Sequence, residues 1–258
     1  MAAKIIRDAA VKAGAPENCI QWLEMKSMYA TEALMKHDGV ATILATGGNA
    51  MVKAAYSCGK PALGVGAGNV PAYVEKSCVL PRTVNDIILS KSFDNGMICA
   101  SEQAAIVDHE IYNEFIKGMK RFKVYFVNAE EKAKLEKFMF RAAAYSEEAK
   151  DAKLNAAVVG KPATWIAEQS GFKVPADTQI ICAECKEVGV NEPLTREKLS
   201  PVLAMYKAKS FEEALDKADR LIELGGMGHT SVLYTDQLKN RDRVLTFGER
   251  MKTARTLI

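Results

Sequence analysis

The stretch Val40-Ala-Thr-Ile-Leu-Ala-Thr-Gly-Gly-Asn-Ala-Met51 joins an apolar segment to a glycine pair and then to helix-forming residues. It predicts a buried strand over residues 40–45, a turn at Gly47 and Gly48, and a helix to about Ser57. Such a turn leaves the free backbone N–H groups of the helix N-terminus pointing at a bound ligand, which is usually a phosphate. Glycine also occurs in strand-to-helix turns for conformational reasons alone. By itself, the stretch leaves both interpretations open.

On both sides of this stretch, apolar strand-like segments alternate with segments that have a helical pattern. We expect helices over residues 4–13 and from Ser27 to about His37, and strands over 19–24 and near 61–65. Later in the chain, residues 211–224 predict a helix with a capping box at Ser210 and Glu213 and an end at Gly225-Gly226. The alternation is typical of a layered α/β fold. After Gly68 the connections between predicted helices and strands become longer. We therefore predict two domains, residues 1–68 and 69–258.

Composition narrows the possible partners and the compartment. The chain has 258 residues and a net charge of +3, too little basic surplus for a nucleic-acid interface. The sequence has no apolar run of about 18 residues and no secretory signal at its start, so we expect no membrane partner and a cytoplasmic location. Six cysteines spread through a chain of this length favour free thiols over a disulfide framework.

One of these cysteines follows a turn. In Ser92-Phe-Asp-Asn-Gly-Met-Ile-Cys-Ala-Ser-Glu-Gln103, Cys99 lies between Asp94-Asn95-Gly96 and a strand that we expect to begin near Gln103. A turn makes a thiol accessible and places backbone N–H groups where they can stabilise an oxyanion. For an arbitrary cysteine, the alternative of a small buried residue is the more common one.

A resemblance to a known family favours the interpretation of Cys99 as a nucleophile. Phe93-Asp-Asn-Gly-Met-Ile-Cys-Ala-Ser-Glu-Gln103, Ala45-Thr-Gly-Gly-Asn-Ala-Met51, Gly59-Lys-Pro-Ala-Leu-Gly-Val-Gly-Ala-Gly-Asn69 and Lys198-Leu-Ser-Pro201 occur together in order. The chain therefore resembles the aldehyde dehydrogenase superfamily over nearly its whole length, and most closely the aldehyde dehydrogenase half of the bifunctional aldehyde-alcohol dehydrogenases. The resemblance implies the end of a Rossmann-like NAD-binding domain followed by an α/β catalytic domain, both incomplete.

The resemblance also implies roles for particular residues. Cys99 would attack the aldehyde, and His229 would assist proton transfer or bind coenzyme A, although a loop histidine without a role is an equal alternative. Thr46, Gly47, Gly48 and Gly66 would lie beside NAD. Glu197 would hold the nicotinamide ribose, the alternative being a solvated charge.

One departure from the hydrolytic members of the superfamily concerns the nucleophile that releases the acyl group. Aligning Pro71 with the final proline of their Glu-Leu-Gly-Gly-Lys type motif places Val65 where those enzymes have the glutamate that activates water. Valine cannot accept a proton, so the thioester is expected to await coenzyme A. The expected substrates are a small aldehyde, such as acetaldehyde, and coenzyme A.

Other features give weaker signals. His37 and His109 are expected at the surface, and Cys182-Ala-Glu-Cys185 lacks the further ligands of a zinc site, so we expect no metal. The chain begins in a helix without a capping residue and stops on residues 253–258, which read as a strand, so we expect a fragment of a longer enzyme. The resemblance implies that this enzyme is a homo-oligomer. Two alternatives stay open: a non-catalytic folding or assembly module, and a thiol-dependent reductase of an acyl phosphate.

Overall fold

A computed structural model describes residues 2–258, which divide into two compact units between Val65 and Gly66. The first unit contains three helices and two strands among its described residues. These are α1 (Ala2–Lys12), α2 (Met28–Lys36), β1 (Ile43–Thr46), α3 (Asn49–Tyr56) and β2 (Ala62–Val65). β1 and β2 pair in parallel, with Ile43 opposite Ala62. The strand predicted over residues 40–45 is therefore shorter and begins later.

The predicted strand over residues 19–24 is wrong. This segment forms bends and irregular backbone, and Trp22 and Leu23 are largely exposed. A strand requires a neighbour for its backbone hydrogen bonds, and β1 and β2 pair only with each other among the described residues. The helix predicted after Ser27 is confirmed, since the Ser27 hydroxyl accepts a hydrogen bond from the backbone N–H of Ala30.

The second unit is built on a seven-stranded parallel sheet. Its strands are β3 (Val70–Val74), β4 (Glu102–Asp108), β5 (Val124–Phe126), β6 (Ile180–Glu184), β7 (Val202–Ala208), β8 (Thr230–Tyr234) and β9 (Arg255–Leu257), in the order β5-β6-β7-β4-β3-β8-β9. Its helices are α4 (Leu80–Ser92), α5 (Tyr112–Arg121), α6 (Ala129–Phe140), α7 (Ala163–Gln169), α8 (Phe211–Gly225) and α9 (Arg241–Arg250). β9 pairs with β8, which confirms the strand expected near the end of the chain.

Helices cover both faces of this sheet. α4 and α5 contribute Ile87 and Phe115 to one apolar cluster, while α6 to α9 contribute to the other, with Leu135 and Phe247 among its buried members. The strands of a parallel sheet covered on both faces are buried on both sides, and every residue of β3 and of β4 is buried. The predicted layered α/β fold is confirmed, and the structure shows that its strands are parallel.

Two details of the helices refine the sequence expectations. The helix expected over residues 211–224 is confirmed, and the Ser210 hydroxyl accepts from the backbone N–H of Glu213. The expected capping box would also need the Glu213 carboxylate to accept from the backbone N–H of Ser210. It accepts instead from the backbone N–H of Lys209. In α6, the Lys132 side chain is mostly buried and forms ion pairs with both Glu136 and Glu192.

None of the helices formed by residues 2–258 combines the length and the apolar character needed to cross a membrane.

Candidate functional site

Cys99 lies on a loop of fixed shape between α4 and β4. A 3-10 turn, Phe93–Gly96, follows α4, and Asp94, Asn95 and Gly96 all have left-handed backbone angles, with φ of 49°, 51° and 68°. A Cβ at Gly96 would lie 2.5 Å from the carbonyl oxygen of Ser200, so this position requires glycine. The thiol itself is exposed. The sequence expectation of a turn that presents an accessible thiol is confirmed.

Gly68 brings the glycine-rich segment against the Cys99 loop. A Cβ at Gly68 would lie 2.0 Å from the carbonyl oxygen of Cys99 and 3.2 Å from Nε2 of His229. The backbones of the two segments therefore approach each other closely at Gly68. Any larger side chain at this position would displace the cysteine loop or the histidine ring.

Glu197 reaches the same place from another segment. Its Oε1 accepts a hydrogen bond of 2.8 Å from the backbone N–H of Gly68. Burial raises the pKa of Glu197, and the bond from Gly68 opposes that rise by stabilising the ionised form. A half-buried carboxylate that keeps one oxygen on a backbone donor is suited to accept further hydrogen bonds from the hydroxyl groups of a ligand.

His229 completes the group. The ring is buried, its Nδ1 lies 3.0 Å from the hydroxyl oxygen of Thr230, and its Nε2 is the nitrogen on the Gly68 side. Burial lowers the pKa of His229, and the positive charge of Arg255 lowers it further. The imidazole is therefore neutral at neutral pH, the state in which a histidine can accept a proton. The structure thus brings Cys99, Glu197 and His229 to one place.

Behind these residues lies a buried polar layer that the sequence analysis missed. The side chains of Asn69, Lys91, Gln103 and Lys198 are all buried, and Gln103 Oε1 accepts both from Lys91 Nζ and from the backbone N–H of Lys198. Burial lowers the pKa of Lys91 well below its usual range and lowers that of Lys198 to about 8. Lysine is mostly exposed in proteins, so no sequence pattern identified either one.

The first unit contains the other predicted turn. Thr46 is the last residue of β1, Gly47 has a φ of 152°, and Gly48 is the N-cap of α3 without a side-chain cap hydrogen bond. The first N–H groups of α3 thus have no capping side chain, which fits a phosphate ligand. Gly66 begins the second unit, two residues before Gly68.

The remaining candidates take no part in the cysteine site. Cys182 lies in the middle of β6 and Cys185 directly follows the strand; both are buried, and burial raises the pKa of both thiols. His37 and His109 are exposed, as expected. Within residues 2–258, no three His, Cys, Asp or Glu side chains gather into a group that could hold a metal ion.

Comparison with known proteins places the chain in a family. Residues 1–256 match the aldehyde dehydrogenase family. The chain is 62% identical to an aldehyde-alcohol dehydrogenase of Streptococcus pneumoniae, in an alignment that includes 99% of this chain and 29% of that protein. The chain thus spans less than a third of the length of this curated relative.

Two solved structures are similar along the whole chain. The acetylating aldehyde dehydrogenase of Geobacillus thermoglucosidasius superposes with a TM-score of 0.89 at 42% identity, over 99% of this chain and 54% of that one. The propionaldehyde dehydrogenase of Rhodopseudomonas palustris, with bound CoA and an acylated cysteine, superposes with a TM-score of 0.83 at 26% identity, over 98% of this chain and 55% of that one. The parallel α/β fold, the exposed cysteine and these similarities agree, and the chain belongs to the aldehyde dehydrogenase family.

Proposed function

We propose that this chain carries the thiol site of a CoA-acylating aldehyde dehydrogenase that interconverts a small aldehyde, such as acetaldehyde, and an acyl-CoA with NAD(H). The observation that carries the proposal is the convergence of the exposed Cys99 with Gly68, Glu197 and His229. The aldehyde-alcohol dehydrogenase and acetylating relatives support it. Residues 1–68 would belong to the NAD-binding domain and residues 69–258 to the catalytic domain.

Cys99 would be the nucleophile. Its thiolate adds to the aldehyde carbonyl carbon to give a thiohemiacetal, and loss of a hydride and a proton leaves an acyl thioester on the sulfur. The thiol of coenzyme A then attacks the acyl carbon, which releases acyl-CoA and restores the Cys99 thiol. NAD, when bound, accepts the hydride. The bound CoA and acylated cysteine of the Rhodopseudomonas relative support the thioester step.

His229 and Glu197 would act beside this thiol. A neutral imidazole can take the proton of the incoming thiol, and His229 is neutral because burial and Arg255 lower its pKa. The Glu197 carboxylate would accept hydrogen bonds from the nicotinamide ribose. Thr46, Gly47, Gly48 and Gly66 would line the cofactor site, where the uncapped start of α3 suits phosphate. No metal is needed for this chemistry.

Valine at position 65 explains the choice of acceptor in this proposal. A hydrolytic enzyme needs a base that activates water, and an apolar side chain at that place leaves the thioester for a thiol instead. The partners are then an aldehyde and coenzyme A, and we propose a homo-oligomeric, cytoplasmic enzyme. The proposed assembly follows the resemblance alone, whereas the proposed location rests on the sequence features described above.

Acetyl transfer from acetyl-CoA tests the proposal without the cofactor. The Cys99 thiolate displaces coenzyme A from acetyl-CoA, and the protein gains one acetyl group, measured by intact mass and located by peptide mapping. We expect acetylation at Cys99, none in Cys99→Ala, and no change in the matched control Cys19→Ala, which removes another exposed thiol.

The same experiment separates the alternatives. Acetylation by acetyl phosphate but not by acetyl-CoA would indicate an acyl phosphate reductase. No acetylation by either donor, in a protein that is folded by circular dichroism, would contradict the enzyme and favour a non-catalytic module.

A further inference from the structure

The segment that delivers Glu197 is held by two buried side chains. The carbonyl groups of Leu194, Thr195 and Arg196 are consecutive, and each accepts a hydrogen bond of 2.8 Å from a side-chain nitrogen. Lys198 Nζ donates to the first and third of these carbonyls, and Asn69 Nδ2 donates to the second. Backbone carbonyl groups in a buried turn require such donors, because leaving one unpaired costs about 1–3 kcal/mol.

Both residues also contact the rest of the site, Asn69 through its side chain and Lys198 through its backbone N–H. Asn69 is the residue after Gly68, and its Nδ2 donates in addition to the carbonyl of Leu221 near the end of α8. Gly226 packs against the backbone of Asn69, since a Cβ there would lie 3.0 Å from its carbonyl oxygen. Asn69 thus joins the turn before Glu197 to the loop that leads to His229. The backbone N–H of Lys198 is fixed by Gln103, in the strand that follows Cys99.

We propose that Lys198 and Asn69 are positioning residues that present the Glu197 carboxylate to the backbone N–H of Gly68, beside Cys99. The role of Glu197 in binding the cofactor rests on the proposed function, whereas its placement on Gly68 does not. Lys198 acts through its hydrogen bonds to Leu194 and Arg196, which it can donate in either charge state. Burial lowers its pKa to about 8, and a neutral amine still carries the two N–H groups that its two carbonyl acceptors need.

Amide exchange at Gly68 tests this placement without a ligand. In Lys198→Met, which keeps the length of the side chain but removes its donors, we expect the Gly68 amide to exchange about fivefold faster or more. Glu197→Gln should weaken the same hydrogen bond, because it replaces a charged acceptor by a neutral one. If Lys198 acts through Glu197, the double variant exchanges no faster at Gly68 than the faster single variant.

Controls separate positioning from general loss of structure. The matched control is Lys173→Met, at an exposed lysine of the same unit, and it should leave Gly68 exchange unchanged. Amides of β4, such as Ile106, should be unaffected in every variant. Should Lys198→Met fail to fold, Asn69→Ala supplies the same test, because it removes the donor to Thr195. Unchanged Gly68 exchange in Lys198→Met or Asn69→Ala, or additive effects in the double variant, would overturn the proposal.

Binding of NADH, followed by calorimetry, distinguishes this inference from the proposed function. Weaker NADH binding in both Glu197→Gln and Lys198→Met, together with faster exchange of the Gly68 amide, supports the positioning role and the cofactor role of Glu197. If both variants expose the Gly68 amide while NADH binding stays at the wild-type value, the positioning is correct and the cofactor role of Glu197 is wrong.

Discussion

The two units support their candidate residues very differently. In the second unit, every residue of β3 and β4 is buried, and helices cover both faces of the sheet. In the first unit, no residue of Ala2–Lys12 is buried, and the paired residues Leu44 and Leu63 are 76% and 65% exposed. The cysteine loop therefore rests on a rigid support, whereas the turn at Gly47 and Gly48 rests on a two-stranded sheet with little burial around it.

This difference bears on how each site can work. A nucleophile must be held within a fraction of an ångström of its productive position, and packing around Gly68, Gly96 and Ser200 provides that constraint. A phosphate site made of backbone N–H groups needs only a helix N-terminus, which can become ordered as the ligand binds. Regions with few buried apolar contacts are those that open first in a folded protein.

The largest expected effect is a separation of the two units in unfolding. Each contains one tryptophan, Trp22 in the first unit and Trp165 in the second. In urea, we expect Trp22 fluorescence to change at lower concentration than Trp165 fluorescence, with free energies of unfolding that differ on the order of 5 kcal/mol. Trp165→Phe and Trp22→Phe isolate the two signals. Coincident transitions would show that the units unfold as one and would remove the contrast.

Replacing a glycine in each unit gives the next largest effect. Gly68→Ala places a Cβ 2.0 Å from the Cys99 carbonyl oxygen, so the cysteine loop must move. Since a displacement of about 1 Å can cost about 100-fold in rate, we expect acetylation of Cys99 by acetyl-CoA to slow by about that factor. Gly48→Ala meets no atom within 4 Å and should lower stability by at most about 1 kcal/mol, as alanine is the poorer N-cap.

Gly248→Ala is the matched control for activity, because it adds a Cβ in α9 that also meets no atom within 4 Å. It should leave the acetylation rate unchanged. Acetylation of Gly68→Ala at the wild-type rate would mean that the approach of Gly68 to Cys99 does not restrain the thiol.

The sequence predicted several helices and the turn before Cys99, and where its predictions failed the causes are physical. The helices after Ser27 and Ser210 carry local signals, since a capping side chain and a periodic apolar face lie within one segment. The strand predicted over 19–24 failed because strand formation depends on a partner that local pattern cannot show. The position of Cys99 after a turn was readable, but its contact with Gly68 was not, because that contact joins segments 31 positions apart.

The buried lysines are a clearer case of a feature that the local sequence cannot show. Lys198 follows Glu197 in a charged stretch, Arg196-Glu-Lys198, that reads as solvated surface. Only the fold reveals that its amine is enclosed and bonded to two carbonyl groups. The resemblance supplied Cys99 and Glu197, whereas the residues that support them came from the structure alone.

The pH dependence of stability probes this buried amine. Lys198 has a pKa of about 8 in the folded protein, below its ordinary value of 10.5. Between these values the unfolded chain binds one more proton, so the stability contributed by this group rises with pH, by about 1.4 kcal/mol per pH unit. It is fully present above the unfolded pKa and is lost as the pH falls through the folded one.

The measurement is the difference in free energy of unfolding between wild type and Lys198→Met from pH 7 to pH 10, followed through Trp165. We expect the difference to change with pH only above about 8, in favour of the wild type. The same difference for Lys173→Met should be flat. A flat difference for Lys198→Met as well would mean that the amine is solvated and that its pKa is ordinary.

The smallest effects concern helix caps. Losing a cap should cost a similar free energy in each unit, but the part of the molecule that is destabilised should differ. In α6, Asn128 and Glu131 form a capping box, and in α2 Ser27 caps Ala30. Loss of either cap costs about 1 kcal/mol. For Asn128→Ala the cost should appear in the unfolding of the whole second unit, because α6 packs on its main core through Leu135 and Met139.

For Ser27→Ala, the same cost should stay in the first unit, where Met35 is the buried residue of α2. We expect the Trp22 midpoint in urea to fall and the Trp165 midpoint to stay unchanged, with the opposite pattern for Asn128→Ala. Thr178→Ala serves as the control, at a partly exposed residue outside any helix. If Ser27→Ala lowered the Trp165 midpoint as much as Asn128→Ala does, the first unit would be contributing to the stability of the second, and the cysteine loop would depend on both.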